Sequence, residues 1–179
     1  MRFGTLIRGS TIAEITGNVE RSRDEGYSSA WLTDGYGFEP LTVLALVGAV
    51  VPDIELGTAV VRTLLRHPGV LAQQALTVNA AIGGRLVLGV GPSHAPAMER
   101  SWGVAFNRPL LTMREYLTVV GQLTLTGAAD FDGAVYRSHV RMFIEPSHRT
   151  PVLVGALGPQ MVELAGRHAD GVIAYLVGP

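Results

Sequence analysis

The feature that most constrains this chain is a turn-rich unit running from Pro151 to Tyr175. Val152 to Val154 form an apolar run without polar alternation, which is typical of a strand buried on both faces of a parallel sheet. Gly155 to Gly158 then turn the chain, and Pro159 follows at a position that favours the first turn of a helix. Val172 to Ala174 begin another apolar run. The segment is therefore predicted to be one β-α-β unit.

The same unit recurs along most of the chain. Six strands are predicted, at residues 3–7, 30–33, 54–61, 86–90, 152–154 and 172–174. Helices are predicted at about 11–25, 39–50, 68–82, 109–125 and 159–168, with a short one at 97–102. Residues 130–144 depart from the repeat, because Asp132-Gly133 is a turn pair between short polar and apolar alternations. That segment is predicted to be a β-hairpin inserted before strand 5.

Successive β-α units with right-handed crossovers predict an α/β fold in a single domain over residues 1–179. The sheet either opens into a doubly wound form or closes into a barrel. In both architectures ligands bind at the carboxyl ends of the strands. The groups predicted at those ends are Asp34, Thr58 to Arg62, Gly91 to His94, Ala156 to Gly158 and Tyr175.

Composition excludes several classes of function. The net charge of −1 provides no basic field for nucleic acid. No cysteine is present and the five histidines lack ligand spacing, so no metal site is expected. The apolar stretch from Leu41 to Val51 is shorter than the ~20 residues that span a bilayer. The first residues do not follow the pattern of a signal peptide, so the expected compartment is the cytoplasm.

The turn from Gly155 to Gly158 has two interpretations. A glycine-rich turn that leads into a helix leaves backbone N–H groups free at the positive end of the helix dipole, and such groups bind phosphate. Alternatively, the glycines serve only the tight turn.

Several motifs in a fixed order resemble the luciferase-like monooxygenase superfamily, and most closely its branch of oxidoreductases that use the deazaflavin coenzyme F420. The motifs are Leu56 to Val61, Arg66-His67-Pro68 with Leu71 to Gln74, Gly84 to Gly91, Met113 to Leu117, and Gly155 to Pro159 with Ala169 to Gly171. The resemblance covers the whole chain.

The resemblance implies a (β/α)8 TIM barrel, of which this chain contains six parallel strands and lacks strands 7 and 8. Six strands cannot close such a barrel, so the first and last strands are expected to be open edges. Open edges favour pairing with another chain, and a homodimer, or aggregation of the chain by itself, is therefore expected.

The resemblance also implies where the cofactor binds. A bulge at Thr58, Ala59 and Val60, which in similar proteins often contains a cis peptide, is expected to support one face of the ring. The loop after strand 5 is expected to receive the phosphate, and the loop after strand 4 is expected to approach the ring. The further expected cofactor-binding residues are Gly91, Ser93, Ala156, Leu157, Gly158 and Pro159.

The catalytic prediction rests on Asp34 and His94. Some relatives carry a histidine after the aspartate of strand 2, whereas this chain has Asp34-Gly35. His94 either takes over that role or is a surface loop residue, since histidine titrates near neutral pH. His67 either contacts the cofactor or caps the helix that follows it. Arg62 and Arg66 have two interpretations. They bind an anionic group of the cofactor, such as a phosphate or a polyanionic tail, or they are solvated charges.

Three functions follow from these observations. The first is an oxidoreductase that transfers a hydride between coenzyme F420 and a small organic substrate. The second is an FMN-dependent monooxygenase of the luciferase-like type, and the third is a truncated, non-catalytic flavin-binding remnant. A Schiff-base lyase on a similar barrel is excluded because the sequence contains no lysine.

Overall fold

The structure is a computed structural model that describes residues 2–175. Its strands are β1 (Gly4–Leu6), β2 (Ser29–Leu32), β3 (Glu55–Thr58), β4 (Val61–Arg62), β5 (Leu86–Gly91), β6 (Ala128–Asp132), β7 (Arg137–Arg141), β8 (Val152–Gly155) and β9 (Gly171–Ile173). Its α-helices are α1 (Ile12–Asp24), α2 (Pro40–Val50), α3 (Pro68–Ala81), α4 (Pro109–Thr126) and α5 (Pro159–His168). A 3-10 turn spans Thr63–Leu65, and a π-helical turn spans Ala97–Ser101.

The main sheet is parallel throughout and follows the order β1-β2-β3-β5-β8-β9, with β4 continuing the line of β3 beside β5. Each strand of this order except the last leads into a helix, which confirms the predicted β-α repeat. The result is an α/β half-barrel of six parallel strands with β1 and β9 at its two ends. Strands β6 and β7 form the predicted antiparallel hairpin between α4 and β8.

One predicted strand is divided in two. The sequence predicted a single strand over residues 54–61, but β3 ends at Thr58 and pairing with β5 resumes only at Val61. At the gap, the Thr58 hydroxyl donates to the Gly89 carbonyl at 2.7 Å and accepts from the Gly89 N–H at 2.9 Å. The side chain therefore replaces main-chain ladder bonds, and the predicted bulge at residues 58–60 is present.

The outer face of the sheet forms the hydrophobic core. Alternate residues of each strand point toward the helices and are buried, because parallel strands covered by helices carry aliphatic side chains on that face. Leu56, Leu88 and Val154 are fully buried in one cluster with Leu41 and Leu44 of α2. Each such side chain stabilises the fold by roughly 1.5–3 kcal/mol through burial.

Three helices begin with a side-chain cap. The Thr11 hydroxyl accepts from the Glu14 N–H, the Glu39 carboxylate accepts from the N–H groups of Leu41 and Thr42, and His67 Nδ1 accepts from the Gly69 N–H. Such caps satisfy N–H groups that lack partners within the helix. Helices α4 and α5 have no side-chain cap, at Arg108 and Gly158 respectively.

The hairpin is held to α4 by one buried carboxylate. Glu115 accepts hydrogen bonds from the N–H groups of Ala134, Val135 and Tyr136, at 2.8–3.0 Å. Burial by itself raises the pKa of Glu115, but the three backbone donors outweigh burial, and the pKa lies below its ordinary value. The motif around Glu115 therefore has a structural use, which is to fix the turn of the hairpin.

No helix within residues 2–175 has the length and apolar character needed to cross a membrane. The same residues contain no group of three or more metal-ligating side chains.

Candidate active site

A cavity of about 690 Å³ lies at the carboxyl ends of the strands. It is lined by Leu6, Thr33, Ala59, Val60, Gly91 to His94, Gly155 to Gly158, Met161 and Ile173 to Tyr175. Apart from Met161 of α5, these residues are at or just beyond the end of a strand of the half-barrel, because the carboxyl ends of parallel strands share one edge of the sheet. The sequence predicted this edge as the site.

The floor of the cavity is formed by Val60 where it projects over two glycines. A Cβ atom placed on Gly91 would lie 2.7 Å from Val60 Cγ2, and one placed on Gly155 would lie 3.3 Å from the same side chain. The missing side chains of β5 and β8 are therefore what allow Val60 to lie across the strand ends. We call Ala59 and Val60, together with these two glycines, the Val60 shelf.

The Ala59–Val60 peptide bond is cis. A non-proline cis peptide at this position is the one that the family resemblance implied for the bulge, and the sequence alone did not establish it. Ala59 and Val60 both line the cavity, whereas Thr58 is fully buried beside Gly89 and does not.

The opposite wall is the start of α5. Ala156, Leu157 and Gly158 line the cavity, and Gly158 has extended backbone angles of φ −87° and ψ 149° as the N-cap residue. Pro159 occupies the first helical position, as predicted, but does not line the cavity. No side chain caps this helix and its first turn has no acidic residue, so the positive end of its dipole lies at the cavity wall without a capping acceptor. A Cβ atom on Gly158 would meet nothing within 4 Å, so space is available there.

The loop after β5 forms the third wall. Gly91, Ser93 and His94 all line the cavity, and Ser93 has a left-handed backbone with φ 64°. The His94 side chain is exposed, and its carbonyl accepts from the N–H groups of Ala97 and Met98. Within the described chain its imidazole makes no hydrogen bond, so both ring nitrogens are free to meet a ligand.

Asp34 is not among the residues that line the cavity. Its carboxylate accepts from the Arg62 backbone N–H at 3.1 Å and from the Arg62 guanidinium at 2.9 Å. The structure therefore brings the carboxylate of Asp34 to Arg62. No local pattern predicted this pair, because the two residues are 28 positions apart and belong to different β-α units.

His67 and Arg66 also lie away from the cavity. His67 caps α3, as one of the two alternatives predicted, and contacts Tyr136 of the hairpin edge-on, with ring centroids 5.7 Å apart. Arg66 pairs with Glu39 at 3.1 Å and contacts Gln74 at 3.3 Å. Arg62 and Arg66 are each paired with a carboxylate, Asp34 and Glu39 respectively, so neither is simply a solvated charge.

Sequence reasoning missed Leu6, Thr33, Met161 and Ile173 as lining residues. Leu6 is the last residue of β1, Thr33 directly follows β2 and Ile173 ends β9, so their positions at strand ends are the signal that identifies them. Met161 lies within the first turn of α5. Among residues 2–175, the cavity wall contains no carboxylate, lysine or arginine, and its polar side chains are Thr33, Ser93, His94 and Tyr175. Such a lining suits a flat apolar group with an anion near the helix end.

Comparison with known proteins identifies the family of the chain. The sequence model of a family described as luciferase-like monooxygenase matches residues 2–179. A 5,10-methylenetetrahydromethanopterin reductase of Archaeoglobus fulgidus is 32% identical over an alignment that covers 97% of this chain and 52% of the relative. An F420-dependent glucose-6-phosphate dehydrogenase of Nakamurella multipartita is 30% identical, covering 90% of this chain and 51% of the relative.

The fold has a counterpart among solved structures. The coenzyme F420-dependent tetrahydromethanopterin reductase of Methanopyrus kandleri superposes with a TM-score of 0.81 at 24% identity, covering 97% of this chain and 55% of that structure. The chain spans about half the length of the curated relatives it matches.

Proposed function

This chain belongs to the luciferase-like monooxygenase family, and from that premise we propose that it forms the cofactor-binding half of an F420-dependent oxidoreductase. The cavity would hold the deazaflavin of coenzyme F420, and a small organic substrate would bind beside it. The names of similar proteins support this choice, since the Nakamurella relative is an F420-dependent dehydrogenase.

The observation that carries the proposal is the pairing of a flat apolar floor with an uncapped helix start across one cavity. The Val60 shelf is free of polar side chains, because Gly91 and Gly155 leave room only for the valine that lies over them. At the start of α5 the N–H groups of Leu157, Gly158 and Gln160 have no hydrogen-bond partner within residues 2–175, whereas the Met161 N–H donates to the Gly158 carbonyl. A ring needs the first surface and a phosphate needs the second, so the residues present fit the cofactor.

When bound, the deazaflavin supplies the hydride chemistry. In this proposal Ala59 and Val60 support one face of the ring, while Gly91 and Ser93 lie beside the ring in the loop after β5. Ala156, Leu157 and Gly158 bind the phosphate, with Pro159 fixing the first helical turn. His94 is the candidate for holding or moving a proton beside the ring, because its imidazole is exposed at the cavity and makes no hydrogen bond to residues 2–175.

A second candidate is an FMN-dependent monooxygenase, which the description of the matching family favours. The same shelf and helix start would hold the isoalloxazine ring and the phosphate of FMN. Dependence of turnover on dioxygen distinguishes the two. A non-catalytic flavin-binding role is a third outcome, in which the chain binds a cofactor without turnover.

We further propose that the protein works in the cytoplasm, on a small molecule, as a homodimer. Strands β1 and β9 each have only one neighbouring strand within residues 2–175, so their outer edges have unpaired backbone groups. Sedimentation velocity over a range of concentrations measures the association directly. A strictly monomeric chain at all concentrations would contradict the homodimer.

Titration of the purified chain with coenzyme F420 and with FMN, followed by cofactor fluorescence, tests the main proposal. We expect saturable binding of F420 that is tighter than binding of FMN. Binding of FMN alone would favour the monooxygenase. Binding of neither would reject a cofactor-binding role for this chain.

Two substitutions at Gly158 sharpen the test. Gly158→Asp and Gly158→Asn both place a good N-cap side chain where the structure has free space, so neither should destabilise α5. Only the aspartate puts a negative charge beside the proposed phosphate. We expect Gly158→Asp to weaken F420 binding by about tenfold or more relative to Gly158→Asn, with both variants as stable as the parent. Equal F420 binding by the two variants would show that the phosphate does not bind at the start of α5.

A further inference from the structure

Arg62 occupies a central position at the rim of the half-barrel. It ends β4, two residues beyond Val60, and pairs with Gly91 in the β5 ladder. Its guanidinium donates to Asp34 Oδ1 at 2.9 Å and to the Gly35 carbonyl at 2.8 Å. The side chains of Asp34 and Arg62 are 9% and 11% exposed, so this ion pair is sheltered from water and weakly screened.

The same guanidinium contacts two aromatic rings. Its Cζ atom lies 5.0 Å from the centroid of the Trp102 ring and 5.7 Å from that of Tyr36. The two rings are parallel within 5°, with centroids 6.2 Å apart, and the Tyr36 hydroxyl donates to Ser101 Oγ at 2.9 Å. Distances below about 6 Å from a cation to a ring centroid are attractive.

These contacts join three segments of the rim. Asp34 and Tyr36 belong to the loop after β2, Arg62 follows the Val60 shelf, and Trp102 ends the turn over residues 97–101. That turn begins at the His94 carbonyl, which accepts from Ala97 and Met98. A displacement of Trp102 would therefore be transmitted through one short turn to His94 and Ser93.

We infer that Arg62 is a positioning residue that locks the loop after β2 and the loop carrying Ser93 and His94 onto the Val60 shelf, and that Asp34 acts through Arg62. For its effect on cofactor affinity, this inference rests on the function proposed above. For its effect on the two loops it does not, since those contacts are made between residues of the chain itself.

Hydrogen exchange of the chain without cofactor tests the inference directly. Arg62→Met removes the positive charge and the N–H donors of the guanidinium while keeping an unbranched side chain. We expect amide exchange to rise about tenfold or more in residues 33–38 and 92–103, and to stay unchanged in α1 and the β6–β7 hairpin. Arg62→Lys keeps the positive charge but lacks the several N–H donors and the planar group that contacts the two rings. We therefore expect it to restore protection from amide exchange only in part.

Arg66→Met is the matched control, because Arg66 is also a half-buried arginine paired with a carboxylate. We expect it to leave exchange in residues 92–103 unchanged. Should Arg62→Met fail to fold, Trp102→Leu replaces a half-exposed ring without touching the ion pair, and faster exchange confined to residues 92–103 is then expected. Unchanged exchange in that segment in both Arg62→Met and Trp102→Leu would overturn the inference.

Titration with coenzyme F420 supplies the second measurement. If the parent chain binds F420, we expect Arg62→Met to weaken binding by about tenfold and Arg66→Met to leave it within about twofold. Equal F420 binding by the parent and Arg62→Met would show that the contacts of Arg62 with the two loops do not affect the cofactor site. If the parent chain binds no cofactor, the proposed function fails, and the exchange result by itself decides whether Arg62 positions the loops.

Discussion

The two faces of the half-barrel sheet are filled in opposite ways. On the outer face, Leu56, Leu86 and Leu88 are buried under the helices, and long aliphatic side chains occupy the space. On the inner face, the intervening positions Gly57 and Gly89 have no side chain. Trp31 and Val60 lie over inner-face glycines of neighbouring strands, where an added Cβ would meet them at 2.4 Å on Gly57 and 2.7 Å on Gly91.

The difference shows that one sheet performs two tasks with alternating residues of the same strands. The outer face stabilises the fold by removing apolar volume from water. The inner face keeps main chain uncovered so that a few large side chains and a ligand can approach it. Loss of volume should therefore damage the outer face, and gain of volume or loss of a hydrogen bond should damage the inner face.

The largest expected effect is on the outer face. Leu88→Ala removes a fully buried side chain and leaves a cavity, so we expect a loss of about 2–5 kcal/mol in the free energy of unfolding, measured with urea. Leu125→Ala on α4 is the control, because that side chain is 76% exposed and should change stability by less than about 0.5 kcal/mol. A loss below about 1 kcal/mol for Leu88→Ala would contradict the contrast between the faces.

Thr58→Val tests the polar contact that replaces the strand ladder. Valine matches threonine in shape but leaves the Gly89 N–H and carbonyl without their partner, so we expect a loss of about 2 kcal/mol in urea unfolding. Thr58→Ser keeps the hydroxyl and should retain most of the stability. Equal losses for valine and serine would show that the methyl group, and not the hydroxyl, is what matters at this position.

Gly91→Ala tests the space under Val60. The new methyl group would lie 2.7 Å from Val60 Cγ2, the end of a side chain that can yield, so we expect a loss of about 1 kcal/mol and weaker F420 binding. In the double variant Gly91→Ala with Val60→Ala, the two effects should be less than additive because the contact is gone. Strict additivity in this cycle would show that Val60 and Gly91 do not share the space.

The smallest expected effect is on the pH dependence of stability. It distinguishes the hairpin, which is held by Glu115, from both faces of the sheet. Glu115 has a pKa below its ordinary value of 4.5, so its contribution is complete above that value and is lost as the pH falls through the folded-state pKa. We expect Glu115→Gln to flatten the acid limb of the stability curve measured by thermal unfolding. Leu88→Ala and Gly91→Ala should lower the curve by a constant amount, since neither changes a titrating group. An unchanged acid limb in Glu115→Gln would remove Glu115 as the source of the pH dependence.

Much of the fold was predictable because the signals are local. Apolar runs without alternation marked the strands, Pro68 and Pro159 marked helix starts, and the Asp-Gly pair marked the hairpin. The edge of the sheet that carries the cavity followed from the parallel topology. The break after Thr58 was expected only through the family resemblance, because a hydroxyl bond to Gly89 depends on the register between two strands.

The candidate site was predictable only in part. Ala59, Val60, Gly91, Ser93 and His94 were expected at the cavity and are there, as are Ala156 to Gly158. Thr58, His67 and Asp34 were expected with them but lie against Gly89, on the start of α3 and on Arg62, respectively. Their roles in binding or catalysis stay predictions.

By itself, the sequence determined which segments are strands, which are helices and which loops share the carboxyl edge of the sheet. Those properties depend on periodicity and turn chemistry within a few residues. Only the tertiary structure decided that Val60 lies over two glycines and that Arg62 joins Asp34 to Trp102. Such contacts depend on strand register and on how far a side chain reaches between elements. Neither quantity is determined by the residues of one local segment.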